Sequence, residues 1–166
     1  MAPLCYSPPS LHGSPVDCLL ALLARRHAAN HGLLQPGQRN LLHDVDYHIH
    51  FPAGAVGKDG PSGGIALVSA LVSLLRGQCT RADTCMTGEI TLSGAVLPVG
   101  GIRDKVLAAH RKGLTRVVLP KANHARDLED LPAGVRAAMT FLPVRTVAEA
   151  IAYVFHDSEL VLQSKL

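Results

Sequence analysis

The chain has no tryptophan and only three tyrosines and three phenylalanines. Aromatic platforms for stacking single-stranded bases are therefore unlooked-for, and the core must be built from Leu, Val, Ile and Ala. Its eleven arginines and five lysines are scattered without a dense run, so a net charge of +3 leaves no nucleic-acid footprint. The first ten residues carry no basic cluster of the kind that opens a secretory signal. The apolar run Leu19–Ala24 is too short to span a bilayer and leads into Arg25-Arg26-His27. Cys5, Cys18, Cys79 and Cys85 show none of the short metal-ligand spacings, and free thiols in a reducing compartment are expected. Neither an HExxH run nor a GxxxxGK[ST] loop is present, so the common zinc-hydrolase and P-loop signatures are excluded.

What remains is globular. At 166 residues, 48% hydrophobic and 17% charged, the chain suffices for one domain with its own core. Residues 1–15 hold Pro3, Pro8, Pro9, Gly13 and Pro15 and read as an irregular tail. Apolar residues at helical spacing predict a helix over 16–30, ended near Gly32. Val45 to Phe51 alternates at period two, a strand with Asp46, His48 and His50 on one face. Ser62 to Leu75 is apolar almost all round, the mark of a central helix, and Gly77 closes it. Ala82 to Val99 predicts two short strands around Ser93-Gly94. A helix then runs from Gly101 to about Lys112, with Gly113 as its cap. The rest reads as a strand at Arg116–Leu119, a short helix near Ala125–Asp130, a strand at Met139–Leu142 and a helix over 146–155.

Chemistry concentrates at two places. Ser62 stands in Lys58-Asp59-Gly60-Pro61-Ser62-Gly63-Gly64, at the mouth of the buried helix. Pro61 presets the backbone, the glycines allow close approach, and N–H groups around Gly60 and Gly63 could hold an oxyanion. The same residues also suit a plain helix cap. Lys105 has Gly101, Ile102, Ala108 and Ala109 as its helical neighbours, all small or apolar. Desolvation over such a surface lowers a lysine pKa and makes a general base of it; the alternative is a lysine whose stem covers apolar surface while its head finds water. Thr87 and Glu89 are either ordinary strand positions or groups able to orient that lysine. His48 and His50 could each line a cleft, but two ligands on one strand do not make a zinc site, and no metal is expected. A Gly-Ser-rich phosphate loop is a further alternative at Ser62.

Three blocks together carry a resemblance: residues 58–64 above, Met86-Thr87-Gly88-Glu89-Ile90-Thr91-Leu92, and Leu97-Pro98-Val99-Gly100-Gly101-Ile102-Arg103-Asp104-Lys105-Val106-Leu107-Ala108-Ala109-His110. In order and spacing they are similar to the proteolytic domain of Lon proteases, over 16–157. The resemblance implies an α+β fold, a two-layer ribosomal-S5-like arrangement; this chain departs from it in that the opening strands are not expected, the proline-rich tail through Pro15 standing in their place. It implies a serine endopeptidase with Ser62 as nucleophile, Lys105 as general base, Thr87 bonded to the lysine, and His48 and His50 in support. It further implies polypeptide substrates and a hexameric ring of identical subunits. Family members usually also carry a substrate-binding region and an ATPase module. Neither is expected on this chain, so ATP and magnesium would enter only through a partner module. Where the family usually has Ala-Gly after the serine, this chain has Gly63-Gly64. Residues 158–166 read as a tail whose Ser164-Lys165-Leu166 matches the peroxisomal address, and the peroxisomal branch is the nearest expectation. The competing expectation is a non-catalytic fragment that serves as an interaction or assembly module.

Overall fold

The structure, a computed structural model, describes residues 61–155. The expected helix at 16–30, the strand at 45–51 and both tails lie outside the described residues.

Helix α1 (Gly64–Arg76) opens this region. Strand β1 (Thr84–Met86) follows, then the short hairpin of β2 (Glu89–Ile90) and β3 (Val96–Leu97). After it come α2 (Ile102–Arg111), β4 (Arg116–Pro120), α3 (Lys121–Asp127), α4 (Ala133–Ala138), β5 (Thr140–Val144) and α5 (Val147–Val154). Strands β1, β4 and β5 form a parallel sheet with β4 central, in register Thr84↔Arg116 and Arg116↔Thr140. The hairpin is a separate antiparallel pair, Ile90 opposite Val96. It docks on the main sheet through Val96 N–H to the Arg145 carbonyl, 2.8 Å, and Val147 N–H to the Gly94 carbonyl, 2.9 Å.

Alternation along β4 decides the layering. Val118 joins Ile65, Val68 and Val72 of α1 and Ile151 and Val154 of α5 in one apolar cluster. Val117 and Leu119 point the other way, into Ile102, Val106 and Ala109 of α2 with Leu128 and Leu131. Among the described residues, helices lie on both faces of the sheet. The cause is that a parallel sheet, crossed over by helices, buries both its faces, which is why Val117-Val118-Leu119 is an unbroken apolar run. The mixed α+β character stands.

Two further expectations are adjusted. Thr84–Met86 belongs to the parallel sheet and not to the hairpin. Helix α4, unforeseen in the sequence, follows Pro132 and contributes no buried residue. The glycine stops hold: Gly77 sits at φ 59° after α1 and Gly113 at φ 77° after α2, left-handed positions that Gly adopts at little cost.

Candidate active site

The site lies where the chain leaves the carboxyl end of β1 and crosses into β2, at Thr87-Gly88. Thr87 N–H donates to the Val118 carbonyl at 3.0 Å, extending the ladder to the central strand. The Ser62 carbonyl then receives two donors from this crossing: Gly88 N–H at 2.9 Å and the Thr87 hydroxyl at 3.2 Å. Ile65 N–H returns a bond to the Gly88 carbonyl at 3.2 Å. The serine carbonyl is thus held by two hydrogen bonds, with a third tying Ile65 to the same crossing, at a point where any side chain would have to displace Ile65. A Cβ on Gly88 would stand 2.5 Å from Ile65 Cδ1.

The capping alternative for Ser62 does not describe this helix. The residue at the cap position of α1 is Gly63, and no side chain caps it. Among the described residues the Ser62 hydroxyl accepts from no helix N–H. Gly64 N–H is taken by the Pro61 carbonyl at 3.2 Å, so Pro61 contributes an acceptor and, as an imino acid, no donor. Gly63 N–H has no backbone acceptor among the described residues and remains available beside the serine. Gly60 lies outside the described residues, as do His48 and His50.

Lys105 arrives from the other face of the sheet, in the first turn of α2. Gly101, at φ 68°, starts that helix, and Lys105 N–H closes its first turn on the Gly101 carbonyl at 3.1 Å. The side chain folds back over the helix start. Its Nζ donates to the Gly100 carbonyl at 3.0 Å and to Thr87 Oγ1 at 3.3 Å. Burial alone pushes its pKa below the ordinary lysine value, since the charged form loses water. Among the described residues no carboxylate pairs with it to oppose that shift. Glu89 makes no bond to the lysine; of the two polar candidates only Thr87 does.

These contacts settle what the amine can do in each form. A neutral amine has two N–H groups and one lone pair, an ammonium three N–H groups. Gly100 and Thr87 take two N–H groups, and the remaining position on nitrogen is the lone pair or the third proton. Thr87 relays between the two elements, accepting from Lys105 and donating to the Ser62 carbonyl. The geometry therefore gathers Ser62, Thr87 and Lys105, from three separate elements.

Sequence reasoning overlooked two groups here. One is the Gly100 carbonyl, a backbone atom without a side-chain signature. The other is Asn123, fully buried in α3, whose carboxamide pairs with the backbone of Val99. A lone asparagine three residues past Pro120 gave little signal. Among the described residues no group of three or more His, Cys, Asp or Glu is placed to hold a metal. No helix among them is long and apolar enough to cross a membrane.

Comparison with known proteins agrees with the motif reading. Residues 23–157 match the family model of the Lon protease (S16) C-terminal proteolytic domain. The chain is 53% identical over 136 residues to a peroxisomal Lon protease homolog 2 of Danio rerio, covering 82% of this chain and 16% of that relative. It is 53% identical over 131 residues to the protein of the same name in Zea mays, covering 79% of this chain and 15% of the relative. A Lon protease 1 of Sorangium cellulosum is 55% identical over 129 residues, covering 78% and 15%. The chain thus spans about one sixth of the length of these curated relatives. It belongs to the family of the Lon protease (S16) C-terminal proteolytic domain.

Proposed function

We propose that this chain hydrolyses peptide bonds with Ser62 as nucleophile and Lys105 as general base. The observation that carries this is the hydrogen-bond chain Lys105 Nζ to Thr87 Oγ1 to the Ser62 carbonyl, beside a lysine whose charged form is disfavoured. Neutral Lys105 takes the hydroxyl proton as Ser62 Oγ attacks the scissile carbonyl carbon. Gly63 N–H, with Gly60 nearby in the chain, receives the oxyanion. The ammonium so formed gives its proton to the departing amine as the C–N bond breaks. Water then attacks the acyl-enzyme carbonyl carbon, surrendering a proton to Lys105, which returns it to Ser62 Oγ as the ester C–O bond breaks and the acid product leaves. His48 and His50 support the cleft, and Glu89 takes no direct part.

Substrates are inferred to be unfolded or damaged polypeptides, since Lon family proteases act on polypeptides. ATP and Mg²⁺ enter only through an ATPase partner or module, and no metal takes part in the cleavage step itself. We infer a ribosomal-S5-like fold and a homo-oligomeric, hexameric ring from family membership alone. A peroxisomal location follows the names of the Danio and Zea relatives, with Ser164-Lys165-Leu166 as the address. The non-catalytic module is not favoured, because the family match runs through all three site segments.

The test is hydrolysis of a fluorogenic peptide by the purified chain beside Ser62→Ala and Lys105→Ala. Both variants should lose turnover while melting cooperatively. Full activity in either would reject the dyad.

A further inference from the structure

We propose that Asn123 is a positioning residue for Lys105, acting through the backbone of Val99 and Gly100. This rests on the reading of Lys105 as the base. The Asn123 carboxamide treats Val99 as a neighbouring strand would. Its Oδ1 accepts Val99 N–H at 2.9 Å, and its Nδ2 donates to the Val99 carbonyl at 2.8 Å. Strand pairing has ended two residues earlier, at Leu97, and Pro98 brings no N–H. The side chain therefore replaces a missing ladder at the last residue before Gly100.

The next carbonyl along, that of Gly100, is the one that holds Lys105 Nζ at 3.0 Å. A loop of glycines would otherwise leave that acceptor free to wander, since Gly100 and Gly101 each lack a Cβ and Gly101 already stands at φ 68°. Val99 is pinned from both its polar groups, and its side chain enters the cluster of Ile102 and Val106. Asn123 is itself 0% exposed, and a buried carboxamide is held to its partners because an unmade bond there is costly.

The amide's orientation is fixed too. Its second Nδ2 proton goes to Asp127 Oδ2 at 2.5 Å, and Asp127 is an acceptor held in turn by Arg126. A carboxylate cannot donate, so the flipped amide would set two acceptors face to face. The clamp thus runs from Arg126 and Asp127 through Asn123 to Val99, and from the adjoining carbonyl to the amine.

The experiment is steady-state hydrolysis of a peptide by the purified chain, with Asn123→Ala, Asn123→Ser and a control, Val154→Ala. Val154 is buried in the other apolar cluster, so it reports loss of stability without touching the clamp. Asn123→Ser brings no charge beside Asp127, keeps a small hydroxyl able to accept Val99 N–H directly or through a water, and provides a second variant should alanine prove too disruptive. Displacing a catalytic group by about 1 Å can cost on the order of 100-fold. The expected result is kcat lowered about 10- to 100-fold in Asn123→Ala and less in Asn123→Ser, with KM within twofold. Val154→Ala, at a similar drop in Tm, should keep its kcat. The Lys105 CεH₂ resonance, assigned by its absence in Lys105→Ala, should shift in the Asn123 variants and not in the control. An unmoved resonance, or a kcat no lower than the control's, overturns the proposal. Lys105→Ala, run alongside, separates the failures. Activity surviving in it rejects the dyad and the clamp together, whereas activity lost in it but retained in both Asn123 variants rejects the clamp alone.

Discussion

Gly64 lies so close to Ile90 that a Cβ added to it would fall 2.9 Å from Ile90 Cγ1 and 3.2 Å from Ile90 N. The glycine beside it differs: Gly63 has nothing within 4 Å of the same imagined atom. The two glycines after Ser62 thus have separate reasons. Gly64 lets α1 settle on the hairpin; Gly63 is optional in space and sits at φ −86°, where alanine is at ease.

Gly64→Ala should therefore destabilise by about 1–3 kcal/mol, the usual cost of overpacking, and pull Ser62 off the Thr87-Gly88 crossing. Gly63→Ala should be neutral or stabilising by about 0.4–1 kcal/mol through the unfolded chain. Denaturant midpoints of the two variants make the comparison, and equal losses in both would contradict it.

Thr87 has one hydroxyl serving two elements, so its removal separates two effects. Thr87→Val keeps the shape and deletes both bonds, and should lower kcat about 10- to 100-fold while the chain still folds. Thr87→Ser should restore most of the rate. A valine variant with the wild-type rate would show that the relay is structural only.

The pH dependence of Lys105 has a defined sign. Its folded-state pKa lies below the ordinary lysine value of about 10.4, so the unfolded chain binds the extra proton in the window between the two. The burden of the charged amine is fully present below that window, and stability rises with pH across it. Peptidase rate should rise with pH over the lower part of the same window, as the free base appears. Lys105→Met should abolish turnover yet match or exceed the wild-type melting temperature at neutral pH. Thermal melts from pH 6 to 10 check this, and a less stable methionine variant would refute the sign.

Asp83 titrates in the opposite sense. Its bonds to the Arg81 guanidinium, 3.1 Å from each carboxylate oxygen, lower its pKa from 3.8 to about 2, with Thr84 Oγ1 assisting. A depressed carboxylate stabilises above its unfolded pKa, and that contribution fades as pH falls through about 2. Asp83→Asn should melt lower than wild type near neutral pH, and the gap should narrow in acid. A gap that is constant from pH 7 down to 2 would exclude the ion pair as its source.

Local patterns were legible in the sequence, and non-local pairings were not. The apolar wrap of α1, its stop at Gly77, the turn at Ser93-Gly94 and the Thr146 cap region all show in short windows, and Thr146 does accept Glu149 N–H. Strand β1 has only three residues, and its partner Arg116 lies beyond a hairpin and a helix, so no window contains the pair. Pro143 within β5 hid that strand's true end; among the described residues β5 lies at the sheet's edge, a position that tolerates proline. For the site, motif spacing pointed to Ser62, Thr87 and Lys105. The Asn123–Val99 pairing escaped because it joins residues with no pattern between them.

The two faces of the sheet have a last consequence. Ser62 is carried by the helix packed on the Val118 side, and Lys105 by the helix packed on the Val117 and Leu119 side. Under the proposed function, neither half of the core can bring nucleophile and base together without the other. A newly made chain with only one half consolidated would hold a serine without its base, and so stay harmless to its neighbours. Under the proposed function, completion of the fold is itself the act that arms the protease.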